Sequence, residues 1–316
     1  METEDLKYRH ILRFVGTTPW AILPSKLAAI MDLIRFKAEG GAYTPEEIQA
    51  AIGAVARPAQ RGSGAVAVIP VYGTIVPHGG LMAEMSGAVS IDGITAAFRS
   101  AMQDSRISGI LLEFDSPGGS VSGVDELSAE IFRTRGTKPV TAIASPMAAS
   151  AAYYIATAAD ELVVTPSGEV GSIGVFAAHE DMSRMMDRLG VTTTLISAGK
   201  FKTEGNPYEP LSDEARAAIQ DRVNEYYQMF VDAVGRNRGV ASSKVQEGFG
   251  QGRVMGARQA VAMGMADRVA TMDEVLQGMM RKMPMTPGHG PGRAESDDVR
   301  LLAQVSAARG RALTGY

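Results

Sequence analysis

Short apolar runs alternate with helix-length stretches along most of this chain. Continuous apolar runs of this length predict strands that are buried on both faces of a sheet. They cover residues 65–71, 109–114, 140–144, 162–165, 172–176 and 191–196. Stretches between them predict helices at residues 91–104, 123–135 and 148–159. The pattern therefore predicts an α/β fold.

A long helix is predicted after this region. Ser212 suits the N-cap, Asp213 and Glu214 complement the helix dipole, and Gly239 suits the end of the helix. Residues 253–269 predict a further helix and turn that return to the same domain.

Both ends of the chain differ from this core. Residues 1–60 predict a helical N-terminal extension, with a strongly apolar stretch at 22–36 and a second helix start at Thr44, where Pro45 fits the first turn and Glu47 completes a capping box. Residues 57–64 are expected to form a linker. Residues 283–316 begin with a Pro/Gly-rich linker and end in a tail. The main domain is therefore expected at residues 65–282.

Composition limits the kinds of partner. The net charge is −4, with both signs interspersed, so no basic face for nucleic acid is expected. The absence of cysteine excludes disulfides and thiolate catalysis, and four scattered histidines predict no metal site. No apolar run reaches the roughly 18 residues of a membrane span, and the N-terminus lacks a secretory signal. We expect a protein that stays in the cytoplasm, away from the membrane.

Two glycines follow the predicted strand at 109–114. Residues 115–120 are Asp-Ser-Pro-Gly-Gly-Ser, and glycine lets backbone amides face outward, as an oxyanion hole requires. Taken alone, this motif is most often a tight turn. A phosphate cradle would need a Walker lysine or a complete Gly-x-Gly-x-x-Gly, and neither is present.

Ser150 stands among alanines at the start of a predicted helix, with room for a carbonyl carbon to approach. If one sheet brings Gly119 and Ser150 to the same edge, the amides of Gly119 and Ala151 could both face a carbonyl oxygen above the serine. The candidate bases are His10, His78, His179 and a lysine. Lysine acts as a base only where burial lowers its pKa from about 10.4 to about 7 or 8. Lys200 and Lys202 alternate along an extended segment, so only one would face the site.

Four motifs, in this order, resemble the signal peptide peptidase A family of serine proteases, the S49 type. They are Asp-Ser-Pro-Gly-Gly-Ser after a strand, Met-Ala-Ala-Ser-x-x-Tyr-Tyr-Ile-Ala around Ser150, Gly-Ser-Ile-Gly-Val from Gly171, and Gly-x-x-Lys ending at Lys202. The resemblance covers residues 65–275 and implies an α/β fold of the ClpP/crotonase kind, built from repeated strand-strand-helix units. In place of the glycines that commonly follow the family's nucleophile, this chain has Ala151 and Ala152.

The resemblance also implies roles for single residues. Ser150 would be the nucleophile, Lys202 the general base, and Ser172 the hydroxyl that holds the lysine amine. Gly119 and Ala151 would form the oxyanion hole, and Gly118 would bind substrate. Lys200 falls outside the matched position, and no metal or organic cofactor is implied.

Within the family, the lambda-type head maturation proteases of tailed phages are the most similar, because of residues 198–211, the Ala-His after the Gly-Ser-Ile-Gly-Val motif, and the Thr-Pro-Trp that ends at Trp20. This resemblance implies scaffold and capsid proteins as substrates, in the host cytoplasm or an assembling prohead. It also implies a homo-oligomer in which neighbouring protomers share each active site.

Other functions remain open at this point. They are a host-type cytoplasmic peptidase related to signal peptide peptidase A, a ClpP-like peptidase with His179 as base, a crotonase-like acyl-CoA enzyme, and a non-catalytic assembly protein. The acyl-CoA alternative would need a basic cluster for adenine and phosphate, and the sequence offers none.

Overall fold

The computed structural model describes residues 19–38, 66–79 and 88–282. In chain order, its elements are β1 (Trp20–Ile22), α1 (Pro24–Ala38), β2 (Val66–Tyr72), β3 (Ile75–Val76), β4 (Val89–Ser90), α2 (Ile91–Gln103), β5 (Gly109–Ser116), β6 (Gly118–Ser120), α3 (Val124–Arg133), β7 (Val140–Ala149), α4 (Ala151–Ala156), β8 (Glu161–Val164), β9 (Glu169–Gly171), α5 (Ser183–Arg188), α6 (Asp213–Arg238), α7 (Ser242–Gly248), β10 (Val254–Gly256), α8 (Ala257–Met263), β11 (Arg268–Val269) and α9 (Met272–Lys282).

A seven-stranded sheet forms the centre of the molecule, with its main path in the order β10-β9-β7-β5-β2. Strand β8 joins at β7, and β11 pairs with β8. Strand β7 is long enough to pair with β8 through its first half and with β9 through its second half. Leu111, Leu112 and Ile143 are fully buried, because these strands are covered on both faces. The continuous apolar runs of the sequence have this physical cause.

A second, four-stranded sheet has the order β1-β6-β3-β4. Strands β5 and β6 are followed directly by α3, and β7 and β9 carry the chain to the same edge of the central sheet. The predicted α/β architecture is confirmed, and β5, β6 and α3 form a strand-strand-helix unit of the expected kind.

The predicted long helix is confirmed as α6. The Ser212 side chain accepts a hydrogen bond from the amide of Ala215 at 3.2 Å, and Gly239 ends the helix in the left-handed conformation with φ 66°. Phe230, Val231 and Val234 lie in the core, so the C-terminal half of α6 anchors to the domain.

Several predicted elements differ from the structure. The segment at 172–176 continues no ladder, although Phe176 makes a single bridge to Trp20. Residues 191–196 belong to no strand in the described part of the chain and are exposed. The predicted helix at 148–159 starts only at Ala151, since β7 runs through Ala149. Residues 253–269 form β10, α8 and β11 in place of one helix and a turn.

The N-terminal segment is also corrected. Trp20–Ile22 is a strand, although the extension was expected to be helical. Pro19 and Pro24 flank it, and helical geometry is sterically disfavoured for the residue before a proline. The helix begins only at Pro24, where the missing amide hydrogen has no consequence. The capping box at Thr44, the linker at 57–64, His10 and the tail at 283–316 lie outside the described residues.

Candidate active site

Ser150 lies at the turn between β7 and α4. Its φ of 55° and ψ of −120° are unusual for a residue with a side chain, and such strain costs on the order of 1–3 kcal/mol. The turn is held by the Ser150 amide, which donates to the carbonyl oxygen of Gly171 at 2.7 Å. Ala148, Ala149 and Ala151 around it are fully buried. Larger side chains would therefore not fit in this turn.

The Ser150 hydroxyl is buried and has no hydrogen-bond partner among the described residues. The residue is only 1% exposed. An unpaired buried hydroxyl costs about 1–3 kcal/mol, and folded proteins seldom retain one without a reason. Together with the backbone strain, this makes Ser150 a candidate catalytic residue.

Two glycines of β6 lie beside Ser150. A Cβ on Gly118 would lie 2.9 Å from the Cβ of Ser150, and the φ of Gly118 is 101°. A Cβ on Gly119 would collide with the backbone of Ile75 in β3. The Ser116 hydroxyl fixes this turn, because it donates to the carbonyl of Gly73 at 2.7 Å and accepts from the amide of Gly118 at 3.2 Å. Glycine is thus required at both positions by close packing.

The amide of Ala151 is the first of α4. The first amides of a helix have no partner within it, so this group is available to a ligand above Ser150. Arg135 fixes the other end of the helix by donating to the carbonyls of Thr157, Ala158 and Ala159 at 2.6–3.0 Å. The helix that follows Ser150 is therefore held at both ends.

Ser172 follows β9, which pairs in parallel with the end of β7. Ala149 and Gly171 are partners in that ladder, so Ser150 and Ser172 leave the sheet side by side. Ser172 is 6% exposed, has a φ of 55°, and its amide donates to the carbonyl of Arg253 at 2.8 Å. The structure thus brings Gly118, Gly119, Ser150, Ala151 and Ser172 to one place.

Lys202 does not join this group. It is exposed, in a turn in which its amide donates to the carbonyl of Gly199 at 3.1 Å, and it makes no hydrogen bond to Ser150. Lys200 binds Glu214 at 2.8 Å and lies 4.4 Å from the ring centroid of Phe201. The two lysines therefore have different surroundings.

Neither histidine of the described ranges, His78 or His179, hydrogen-bonds to Ser150. His179 Nε2 lies 3.2 Å from the carbonyl oxygen of Asn206, and His78 pairs with Asp92 at 2.8 Å on the surface. No group of three or more His, Asp or Glu side chains within the described ranges could hold a metal ion. Among the helices of the same ranges, none has the length and apolar character needed to cross a membrane.

One feature of the site was missed by sequence reasoning. Strand β1 pairs with β6 next to Ser150, with Ala21 opposite Gly119. The sequence carries a weak signal for this strand, which is a short apolar segment between Pro19 and Pro24. The two prolines lie too close together for a helix to form between them.

The sequence is similar to that of known proteases. Residues 133–285 match Peptidase family S49. The capsid assembly protease C of Escherichia phage lambda is 35% identical over 243 residues, which cover 75% of this chain and 55% of that protein. The head-tail preconnector protein GP5 of Enterobacteria phage P21 is 35% identical over 214 residues, 68% of this chain and 42% of that protein.

A cellular protein is similar as well. The putative signal peptide peptidase SppA of Enterococcus faecium is 29% identical over 185 residues, 58% of this chain and 54% of that protein. The chain spans about half the length of these curated relatives. The matched residues include Ser150, Ser172 and Lys202, and the chain belongs to peptidase family S49.

Proposed function

We propose that this chain is a serine endopeptidase with Ser150 as nucleophile and Lys202 as general base. The observation that carries the proposal is the strained, buried and unpartnered Ser150 hydroxyl, at a strand-to-helix turn beside two glycines. Family membership supports the same reaction class.

The reaction needs one proton carrier and two oxyanion donors. Lys202, as the free amine, takes the hydroxyl proton while Ser150 Oγ bonds to the carbonyl carbon of the peptide. The amides of Gly119 and Ala151 hold the oxyanion, and Gly118 lets the substrate backbone approach. Lys202 then protonates the leaving amine. Water gives a proton to the lysine as its oxygen bonds to the ester carbon, and the lysine passes that proton to Ser150 Oγ as the ester bond breaks. Ser172 holds the lysine amine in place.

Lys202 is proposed to come from a neighbouring protomer. Within one protomer it makes no hydrogen bond to Ser150, which stays without a partner. Near it along the chain, exposed apolar side chains include Leu195 at 43%, Ile196 at 96% and Phe201 at 50%. Apolar surface of this kind is typical of a contact between subunits. A neighbour that covers this segment would bring the lysine to Ser150 and exclude water from the pair.

The substrates are proposed to be scaffold and capsid proteins of an assembling phage head, in the cytoplasm of the host cell. The support is the similarity to a capsid assembly protease and a head-tail preconnector protein. A host-type peptidase that degrades cytoplasmic peptides is the competing assignment, because a putative signal peptide peptidase is also similar.

The test uses three variants, each expressed with the neighbouring capsid and scaffold proteins. Wild type is expected to produce fragments on a gel, and Ser150→Ala and Lys202→Ala are expected to produce none. His179→Ala is the control, and it should retain cleavage. Fragments that persist with Ser150→Ala would exclude Ser150 as nucleophile. Fragments lost with His179→Ala would favour a histidine base.

Sharing of the site is tested by complementation. Ser150→Ala and Lys202→Ala are inactive alone, but co-expressed in equal amounts they should recover about a quarter of wild-type activity, because a random ring joins an intact serine to an intact lysine at about one site in four. No recovery in mixed oligomers, verified by mass, would place both residues in one protomer.

A further inference from the structure

Strand β1 lies between two segments, in the manner of a bound peptide. On one side it pairs antiparallel with β6, in the register Trp20–Ser120, Ala21–Gly119 and Ile22–Gly118. On the other side Trp20 donates to the carbonyl of Phe176 at 2.8 Å, and the Phe176 amide donates back at 3.0 Å. Phe176 lies four residues after Ser172. The strand thus lies between the two segments that border Ser150.

The register places the Ala21 carbonyl at the proposed oxyanion donor. Leu23 donates to the carbonyl of Pro117 at 3.0 Å, in the same register as β1. Hydrogen-bonded pairs alternate along an antiparallel ladder, so Ala21 and Gly119 form the next such pair. In it the Gly119 amide faces the carbonyl oxygen of Ala21. A substrate would offer its reacting carbonyl to the same amide.

That carbonyl also lies next to the nucleophile. A Cβ built on Gly118 would collide with the carbonyl oxygen of Ala21 and lie 2.9 Å from the Cβ of Ser150. The oxygen and Ser150 therefore approach the same point. The Ala21–Ile22 peptide bond lies where a scissile bond would lie.

The Ala21 side chain occupies a pocket. It is 2% exposed and borders a cavity of about 20 Å³ that Val124, Tyr154, Val175 and Phe230 also line. Tyr154 belongs to the helix that Ser150 starts, and its ring stacks on Phe230 at 4.6 Å. The residual cavity has the volume of about one water or methyl group. The pocket therefore holds a small side chain and leaves little room for a larger one.

We propose that β1 is an intramolecular inhibitor of the peptidase. It occupies the peptide-binding cleft in the register of a substrate, with Ala21 as the residue before the scissile bond, and it leaves before a protein substrate enters. Ser150 is only 1% exposed, so no external peptide reaches it while β1 is bound. The proposal rests on the proposed function of Ser150. It also names the preferred substrate, an extended segment with a small residue before the cleaved bond.

Trp20 provides a direct test, because it is the single tryptophan of the chain and is 0% exposed. The probe is a tripeptide aldehyde that ends in alanine and lacks tryptophan, added to the assembled full-length protein. Bound covalently to Ser150, it needs the same strand position, so Trp20 emission should shift to the red and become open to acrylamide quenching. Ser150→Ala should show no shift. Trp20 that stays buried in aldehyde-modified protein would overturn the proposal.

A pair of variants gives the second test. Ala21→Arg does not fit the pocket and should release β1, which raises the rate of Ser150 labelling by a fluorophosphonate about tenfold or more, since the open fraction rises. Ala28→Arg, at an exposed position in α1, is the matched control and should label at the wild-type rate. Circular dichroism verifies that both variants fold, and if Ala21→Arg does not, the Trp20 measurement decides.

The two proposals fail in different ways. Equal labelling rates in wild type and folded Ala21→Arg would remove the inhibitor role and leave Ser150 as nucleophile. Absence of Ser150 labelling in every assembled variant would refute the peptidase itself, and the inhibitor role with it.

Discussion

At the residue scale, Ser150 and Ser172 share a φ of 55°, a conformation that costs energy for any residue with a Cβ. They lie side by side because β7 and β9 end at the same level of one sheet. Backbone strain at two serines that lie side by side persists only where the hydrogen bonds of the surrounding strands hold the backbone in that conformation. Strained positions of this kind are typical of catalytic sites, where some folding stability is lost so that the reacting groups are correctly placed.

Ser150→Gly should increase stability while it removes activity. Glycine relieves the backbone strain and removes an unpaired buried hydroxyl, and these gains outweigh the flexibility it adds to the unfolded chain. We expect the free energy of unfolding to rise by about 1 kcal/mol in urea titrations. Ser120→Gly is the control and should destabilise, because the Ser120 side chain accepts a bond from the Ser122 amide at 3.3 Å. A less stable Ser150→Gly would contradict the strain argument.

Gly119→Ala should impair both folding and chemistry. The added Cβ would overlap the Ile75 carbonyl, so β3 and β6 would have to separate. Overpacking of this kind costs about 1–3 kcal/mol, and it displaces the amide proposed to hold the oxyanion. Urea unfolding and fluorophosphonate labelling measure the two effects. Gly256→Ala has open space around its Cβ and should change neither. Unchanged labelling in Gly119→Ala would remove it from the oxyanion hole.

At the element scale, charged side chains tie strand and helix ends together around the core. Arg238 at the end of α6 binds the Asp267 carboxylate through two nitrogens at 2.8 and 2.9 Å. The same carboxylate accepts from the Leu162 amide in β8 at 2.7 Å. Burial opposes ionisation, but the hydrogen bonds from Arg238 and Leu162 outweigh it and lower the pKa of Asp267. The Asp267 carboxylate, which lies directly before β11, therefore links the end of α6 to β8.

Asp267→Asn should destabilise the protein in a pH-dependent way. A lowered folded pKa means that the contribution is present above the unfolded value of about 3.9 and disappears as pH falls through the folded value. The side chain is 37% exposed, so solvent screening limits the loss at pH 7 to about 1 kcal/mol. Urea titrations should show the difference from wild type at pH 7 and its decrease below about pH 4. Asp221→Asn, at an exposed position of α6, should show neither. A pH-independent difference would exclude the ion pair as its cause.

At the scale of the whole molecule, one protomer holds a buried serine and an exposed segment that ends in the proposed base. Residues 191–202 are all exposed and form no ladder with the described residues. Their apolar members would be unusual on the surface of a monomer. The proposed assembly would explain both features, since a neighbour would cover the segment and receive its lysine.

Ile196→Asp should therefore prevent assembly. The Ile196 side chain is 96% exposed, so a carboxylate in its place leaves the fold of the protomer intact. The same carboxylate would be destabilising when buried in a subunit contact. Light scattering should give the mass of one chain, and fluorophosphonate labelling of Ser150 should disappear. Thr193→Asp, in the same exposed segment, is the control for charge alone and is expected to have a smaller effect. An active monomer of Ile196→Asp would refute the shared site.

The sequence determined most of the central sheet. The apolar runs at 109–114 and 140–144 lie within β5 and β7, because strands buried on both faces need apolar residues without interruption. Ser212 and Gly239 marked the ends of α6, because capping is a local interaction. The sequence also placed Ser150, Gly118 and Gly119 at tight turns after strands, because such turns allow only small residues.

Tertiary structure decided the remainder. The apolar run at 191–196 resembles that of β5, yet it is exposed, because burial depends on which chain covers it and no local pattern encodes this. The distance between Ser150 and Lys202 is likewise set by packing, and sequence spacing carries no such information. Trp20–Ile22 became a strand beside Ser150 because Gly118 in β6, far along the chain, has no Cβ to collide with the Ala21 carbonyl.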